Sequence, residues 1–383
     1  MGIIQSYMPV AKEEHKFHFD LEEENRKLEE MKEGFVKYDI CKTTWEVPSK
    51  YKNLAIIGAG SFGQVCKAEN SETGEKVAIK KLSRPFLDPI IARRSYREIK
   101  VLKFMRHENI IRLIDLFTPA TTAEKMEDLY LVTELMTTDL STVIREHRRE
   151  LDDKKIEFLV YQMLKGLKHV HAAGTIHRDI KPSNIVIDCD NCSLKIVDFG
   201  LARQKEDDKM TGYVVTRYWR APEVIFNWTQ YTESVDIWSV GCIMAELYTG
   251  RALFKGTDSL DQLKKIIKFC GKPSREFIES MSRDAREYLL KLPDHPMTDF
   301  KSHFHMCSPN AVDVLEKMLE IDPERRISAA EALRHEYFAK AQEISESEEP
   351  EVEQAYDPSV EERDWTLEEW QELVYSEIES FKT

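Results

Sequence analysis

An α+β fold in two lobes is what the sequence predicts, a small strand-rich lobe ahead of a larger helical one. Three observations lead there. From Tyr51 to about Leu135, apolar residues alternate as in half-buried strands, around a glycine-rich turn and the runs VAIK and DLYLVTELM; one helical run, IIARRSYREIKVLKFM, interrupts them. From about Asp139 to Lys340 the period becomes helical, as in KKIEFLVYQMLKGLKHVH and AVDVLEKMLE. The chain's 383 residues also exceed one small core; at roughly 150 residues per domain, two lobes or more are expected.

Taken in order, residues 1–44 are acidic and read as a peripheral extension. Asp20-Leu21-Glu22-Glu23 has the form of an N-cap with first-turn acids, and Leu21, Leu28, Met31 and Phe35 recur near helical spacing. A docked amphipathic helix and a solvated arm both fit. The opening MGIIQS matches the M-G-x-x-x-[ST] pattern for acylation at Gly2. No basic cluster follows, so even an acylated chain would hold a membrane weakly and reversibly. Residues 45–135 then form the strand-rich lobe and 136–340 the helical one, interrupted by the loop and short strands of IHRDIKPSNIVID and LKIVDFG. Residues 341–383 are a tail: an acidic stretch to about Asp364, then a helix opened by Thr366-Leu367-Glu368-Glu369. Its Leu367, Trp370, Leu373, Val374, Ile378 and Phe381 form a face able to pack on a lobe. There are no internal repeats.

Composition narrows the class. Apolar residues make up 42%, enough to fill cores, and 55 basic against 69 acidic residues leave a net charge of −14. That disfavours nucleic acid and anionic membranes and favours basic partners. No apolar run approaches the roughly 18 residues that span a bilayer, and no signal peptide is visible, so no stable membrane insertion is expected. Seven cysteines, an odd number, suggest a reducing compartment rather than a disulfide framework. Cys189 and Cys192 form an isolated C-x-x-C with no second pair for zinc; the expected reading is a polar hairpin turn with two incidental thiols.

The chemistry lies in four motifs. Gly58-Ala59-Gly60-Ser61-Phe62-Gly63 is G-x-G-x-x-G. A dinucleotide site needs a helix to start at these glycines, whereas QVCKAENSETGEKVAIKK reads as strand, turn and strand. The glycines therefore tip a hairpin whose backbone N–H groups can fold over phosphates. Lys80 ends the apolar strand Val77-Ala78-Ile79, where its ammonium can hold phosphates, and Glu98 on the next helix is the candidate partner. A surface lysine is the plainer reading of that motif alone. In His177-Arg178-Asp179-Ile180-Lys181-Pro182-Ser183-Asn184, Asp179 can accept a hydroxyl proton, Lys181 can neutralise a transferring phosphoryl group, and Asn184 can ligate a metal. Asp198-Phe199-Gly200 adds a carboxylate for Mg²⁺. This division of labour suits phosphoryl transfer, where charge spreads over several oxygens and positioned cations matter more than a nucleophile.

The ordered set resembles the eukaryotic protein kinases, and the fold it implies is their bilobal one. The likeness continues through Ala221-Pro222-Glu223, through Asp236 in DIWSVG, which in that family braces the catalytic loop, and to Arg326, which there pairs with the glutamate matched by Glu223. Within kinases the chain resembles the stress-activated branch of the mitogen-activated protein kinases. MTGYVVTR, KTTWEVPSKYKNL and KKLSRPF carry that likeness, and residues 256–296 resemble the family's helical insert. Three departures stand out: Tyr218-Trp219 reverses the order usual in this branch, residues 1–34 are longer than the pattern requires, and REHRREL (145–151) is enlarged.

The resemblance implies ATP and Mg²⁺ as cofactors. The nucleotide would meet Ile57, Gly58, Ala59, Gly60, Ser61, Phe62, Gly63, Gln64, Val65, Ala78 and Lys80, with Thr133 as a small gatekeeper. The Glu134 carbonyl and Met136 N–H would bond adenine between Val65, Ala78, Val186 and Val197. Residues 198–223 would be the activation loop, phosphorylated at Thr211 and Tyr213. Each phosphate adds about −1.5 to −2 charge. Arg94, Arg97, Arg178 and Arg203 would clasp the first, Arg217 and Arg220 the second. A solvated helix face is the plainer reading of Arg94 and Arg97. The resemblance further implies a proline-directed serine/threonine kinase and a dual-specificity MAP kinase kinase upstream. Its protein substrates would carry Ser/Thr-Pro sites, and it would work as a monomer in cytoplasm and nucleus. Glu346, Glu348, Glu349 and Glu351 would attract the basic-apolar docking motifs of substrates and phosphatases, although a solubilising connector fits the same composition. A catalytically silent docking scaffold with the same fold is the alternative. It is opposed by the retention of Lys80, Asp179, Asn184 and Asp198 together.

Overall fold

The computed structural model describes residues 33–60, 63–147, 151–204, 217–225, 232–281, 283–293, 296–344, 352 and 354–381. They fall into two units. One holds the described residues up to Arg106, Ile111–Thr137 and the segment from Asp357; the other holds His107–Ile110 and Thr138–Tyr356.

The first unit is built on an antiparallel five-stranded sheet. Its strands are β3 (Tyr51–Gly60), β4 (Gly63–Asn70), β5 (Lys76–Ser83), β6 (Leu113–Phe117) and β7 (Asp128–Glu134), in the order β3-β4-β5-β7-β6. Ahead of it, β1 (Phe35–Ile40) and β2 (Thr43–Pro48) form a hairpin with Val36 opposite Val47 and Tyr38 opposite Trp45. This hairpin corrects the expectation of a peripheral extension reaching residue 44 and of a helical role for Phe35. Val36, Tyr38, Ile40, Trp45 and Val47 belong to the same buried cluster as Tyr51, Ile79, Phe117 and Tyr130. The physical reason is a period of two, Val36-Tyr38-Ile40 and Trp45-Val47, which places one face of each short strand in the core. Residues 1–32, including the acylation pattern and the possible helix from Asp20, lie outside the described residues.

Helix α1 (Pro89–Phe104) begins where Asp88 accepts hydrogen bonds from the N–H groups of Ile90 and Ile91, both at 2.8 Å, with Pro89 at the first helical position. An acid cap followed by proline is a strong helix start. The C-terminal helix α13 (Leu367–Phe381) belongs to the same unit and buries Trp370, Val374 and Ile378. Its predicted capping box forms: Glu369 N–H donates to Thr366 Oγ1 at 3.2 Å and Thr366 N–H donates to Glu369 Oε2 at 2.7 Å.

The second unit is helical. Helices α2 (Leu140–His147), α3 (Asp153–Ala172), α4 (Pro222–Ile225), α5 (Ser234–Thr249) and α6 (Ser259–Cys270) are followed by α7 (Arg275–Ser280), α8 (Arg283–Lys291), α9 (Phe300–His303), α10 (Pro309–Met318), α11 (Ala329–Leu333) and α12 (Ala339–Ile344). Three short strands, β8 (Thr138–Asp139), β10 (Ile185–Asp188) and β11 (Ser193–Ile196), make a sheet in the order β11-β10-β8. A second pair joins β9 (Thr175–Ile176) to β12 (Arg203–Gln204). Helix α5 is buried on nearly every side, and Trp238 within it stacks on Phe254 with ring centroids 5.7 Å apart. The C-x-x-C falls in the β10–β11 turn, as expected; burial pushes the Cys192 thiol up to about 11. Among the described residues no helix is long and apolar enough to cross a membrane.

Candidate active site

The nucleotide-side residues assemble largely in the sheet unit. Strand β3 ends at Gly60 and β4 begins at its partner Gly63, so the glycine motif tips a hairpin and no helix follows. That geometry rules out the dinucleotide reading. Gly63 has φ +142°, and a Cβ there would fall 2.0 Å from the Lys81 carbonyl oxygen, so the position tolerates no side chain. Ser61 and Phe62, at the tip, lie outside the described residues. Ile57, Gly58 and Ala59 lie on β3, and Gln64 and Val65 on β4. Val65 is opposite Gly58 on one side and Lys80 on the other, while Ala78 pairs with Thr133. The Glu134 carbonyl accepts the Thr133 hydroxyl at 3.3 Å, and the Glu134 carboxylate accepts the Arg112 N–H at 2.9 Å; Met136 follows β7 in the same connection.

Lys80 is held by its backbone between β4 and β7 and by its side chain on Glu98, with Nζ to Oε1 2.5 Å. Glu98 is buried in α1. A lysine so oriented presents its charge in a fixed direction. Helix α1 is tied in turn to the C-terminal segment. Arg97 Nε donates to Glu361 in a buried ion pair, Lys100 and Lys103 meet Glu377 at 2.9 and 2.6 Å, and Tyr96 packs on Trp370 at 5.4 Å. Arg94 and Arg97 are only 8% and 5% exposed, which overturns the solvated-face reading: their carrier helix is packed on that side.

The acceptor-side residues assemble in the helical unit. Lys181 Nζ lies 2.5 Å from Asp179 Oδ2, and Asn184 Nδ2 donates to the same oxygen at 2.9 Å and to the Asp179 carbonyl at 2.8 Å. The chain carrying them is held by Asp236 at the start of α5. Its carboxylate accepts the N–H groups of His177 and Arg178 at 2.9 and 2.8 Å and meets His171 Nε2 at 2.9 Å. Burial alone would raise the Asp236 carboxyl; the His171 hydrogen bond, the two histidines and the Arg178 N–H outweigh it and hold the carboxyl low. Arg178 adopts a left-handed φ of 69°, a conformation that costs a non-glycine residue about 1–3 kcal/mol. The Asp236 carboxylate, accepting the N–H groups of His177 and of Arg178 itself, anchors the backbone that enters this conformation.

Asn184 and Asp198 are joined through the backbone, since Val197 N–H donates to the Asn184 carbonyl at 3.0 Å. The Val197 carbonyl also meets His177 Nε2 at 3.0 Å. Val186 lies on β10, paired with Asp139 and Lys195. Glu223 and Arg326 form the implied pair, bidentate at 2.6 and 3.0 Å and fully buried. Of the other expected residues, Arg217 Nη1 donates to the Thr257 carbonyl at 2.8 Å, and Arg220 N–H closes a turn on the Arg217 carbonyl at 3.2 Å. Arg203 opens β12. Thr211, Tyr213, Glu346, Glu348, Glu349 and Glu351 lie outside the described residues, as does the Arg203 side chain. Sequence reasoning missed His171 and Glu361. No local pattern marks either, because each acts on a partner far along the chain.

The protein kinase domain family matches residues 51–338. Mitogen-activated protein kinase 12 of Rattus norvegicus is 52% identical over 352 residues, spanning 92% of this chain and 94% of that protein. The chain belongs to the mitogen-activated protein kinases. Mitogen-activated protein kinase 13 of Homo sapiens is 50% identical over 351 residues, and mitogen-activated protein kinase 14 of Xenopus laevis 49% over 348; each pairing spans 91% of this chain and 94% of the relative. As a mitogen-activated protein kinase of the stress-activated branch, the chain is a serine/threonine protein kinase, and kinases of this family use ATP and Mg²⁺. The residues fit both. Asn184 uses its amide N–H groups on Asp179, which leaves the amide oxygen as the atom that would meet a metal, and Asp198 would supply a carboxylate. One carboxylate with one amide oxygen suits Mg²⁺, which completes its shell with phosphate oxygens and water.

Proposed function

We propose that this kinase transfers the terminal phosphoryl group of ATP to serine or threonine hydroxyls followed by proline, and is switched on by phosphorylation of Thr211 and Tyr213 in a stress-responsive cascade. The observation that carries the reading is the Asp179 cluster. One carboxylate oxygen is shared by the Lys181 ammonium and the Asn184 amide, so the carboxylate is oriented before any substrate arrives. Asp179 takes the proton of the acceptor hydroxyl, and Lys181 keeps a positive charge beside the phosphoryl oxygens. Lys80, oriented by Glu98, holds phosphates of the nucleotide. Bound Mg²⁺, on Asn184 and Asp198, would neutralise phosphate charge.

The switch reading rests on the sequence order of Thr211 and Tyr213 ahead of Arg217 and Arg220, and on the likeness to the stress-activated branch. In it, a dual-specificity MAP kinase kinase acts upstream. Glu346, Glu348, Glu349 and Glu351 attract basic-apolar motifs of substrates and phosphatases, and the protein works as a monomer in cytoplasm and nucleus. The deciding experiment is a kinase assay on Ser-Pro and Ser-Ala peptides before and after phosphorylation of both sites. Activity should rise by orders of magnitude and favour Ser-Pro. A Thr211→Ala, Tyr213→Phe protein as active as the doubly phosphorylated one would refute the switch.

A further inference from the structure

Of the chain's 14 prolines, two follow a serine or threonine, in Thr118-Pro119 and Ser308-Pro309. Neither pair is the phosphorylation switch, since Thr211 precedes Gly212 and Tyr213 precedes Val214. A proline-directed activity therefore meets two candidate acceptors in a copy of its own chain, and the structure separates them. Thr118 is 3% exposed, and its hydroxyl donates to the Asp128 carbonyl at 2.8 Å. Its proton is committed inside the sheet unit, and a phosphate there would bury about −1.5 to −2 charge.

Ser308 has the opposite setting. It caps α10, where its Oγ accepts the Ala311 N–H at 3.3 Å; the cap occupies a lone pair and does not use the hydroxyl proton. The serine backbone is extended, with φ −64° and ψ 152°, close to the polyproline form that an extended peptide adopts. Pro309, at the first helical position, is exposed. His305 and Met306 ahead of the pair are exposed as well, Met306 by 52%. Between Asp299 and Asp313 there is no acid, while Lys301, His303 and His305 precede the serine. A chain of net charge −14 favours the approach of such a stretch.

We propose that Ser308 is a phosphorylation site of this kinase, modified in trans by a second, doubly phosphorylated copy of the chain. The proposal rests on the proline-directed reading above and names a substrate for it. Asp179 of the modifying copy takes the Ser308 hydroxyl proton. The bond from Ser308 Oγ to the terminal phosphorus forms as that phosphorus parts from the bridging oxygen of ATP, and ADP leaves. The product suits the fold. The new oxygens lie at the positive end of α10, where the Ala311 N–H already meets an acceptor.

The test takes the full Asp179→Asn chain as acceptor and wild-type chain phosphorylated on Thr211 and Tyr213 as enzyme, with ATP and Mg²⁺. Matched Ser-Pro and Ser-Ala peptides are run in parallel. Peptide mass mapping should place phosphate on Ser308 and none on Thr118. Ser308→Asn in the acceptor keeps a strong cap without a hydroxyl, so it should remove that phosphate and leave the fold intact. Pro309→Ala in the acceptor should slow incorporation at Ser308 by about tenfold, the scale on which a pocket separates small apolar groups. Should the Asp179→Asn chain fail to fold, a dilution series of wild-type protein replaces it, and the fraction modified per minute should fall in proportion to concentration. If the enzyme prefers Ser-Pro peptides yet leaves Ser308 bare, the proposal is overturned alone. A rate per molecule independent of concentration overturns the second copy as the modifying partner. If both peptides are used equally, the proline-directed reading fails and takes the proposal with it.

Discussion

Lys80 and Asp179 each sit in an ion pair of 2.5 Å, yet what stands behind the two pairs differs. Asp179 lies on a loop held by backbone N–H groups on a buried carboxylate, Asp236, and by an amide five residues away, Asn184. Those supports engage the main chain itself. Lys80 is fixed by its strand, but its partner Glu98 rides on α1. That helix takes its support from side chains of a segment more than 260 residues further on, through Arg97–Glu361 and the Glu377 pairs with Lys100 and Lys103. The first pair is wired into its loop; the second depends on how a distant segment packs. Injury to residues 361–381 should therefore reach the Lys80–Glu98 pair and spare Asp179.

The largest effect that would test this contrast is at Asp179 itself. Asp179→Asn should lower phosphoryl transfer by about 10²–10⁴-fold, the usual worth of a general base, while nucleotide binding persists. Nucleotide binding lost together with activity would break the division of roles. Next comes Glu361→Gln, which leaves the buried Arg97 charge unmatched; a loss of about 3–5 kcal/mol in unfolding free energy is expected from urea titration. Arg97→Met with Glu361→Leu should recover most of it, because two apolar groups leave no orphaned charge. A smaller effect follows for Glu98→Gln, about tenfold in kcat/KM for ATP with little change in thermal midpoint. An unchanged KM for ATP in the Glu361→Gln protein would show that the support of α1 does not reach Lys80.

The smallest effect sharpens the contrast by pH. Burial alone would raise the Glu377 carboxyl, but hydrogen bonds from Lys103 and Lys100 and their charges hold it below the usual carboxylate range. A carboxyl lowered on folding stabilises the native state above its unfolded value, about 4.3 for glutamate, and that stability is lost as pH falls through the lower folded value. Both lysines are partly exposed, so the pair is worth about 0.5–1 kcal/mol. Glu377→Gln should lower the urea midpoint slightly at pH 7 and flatten its decline below about pH 4.3. An identical acid profile in wild type and variant would remove Glu377 from the account.

Much of this was legible in the chain, for identifiable reasons. The glycine hairpin could be told from a dinucleotide turn because QVCKAEN and EKVAIKK carry a strand period, and β4 and β5 follow it. The capping box at Thr366 and the helix at Pro89 were readable because caps are local chemistry. The first hairpin was not, because its strands are six residues each and sit against an acidic stretch that biases the reading outward. Arg97 reads as a clasp for the Thr211 phosphate or, outside that context, as part of a solvated helix face, because nothing within a helical turn of it announces Glu361.

Residue types at fixed spacing were enough to point to phosphoryl transfer, since the candidate base, cation and metal ligands come in a short, ordered stretch. Local propensity and caps were likewise enough for most helices and strands. Only tertiary structure decided that Arg97 is spoken for by Glu361, that the Trp219 indole donates to Glu246, and that residues 35–48 join the core. Those partners lie far apart along the chain, and which of many acids or aromatics meets a given side chain follows from packing, where no spacing rule reaches.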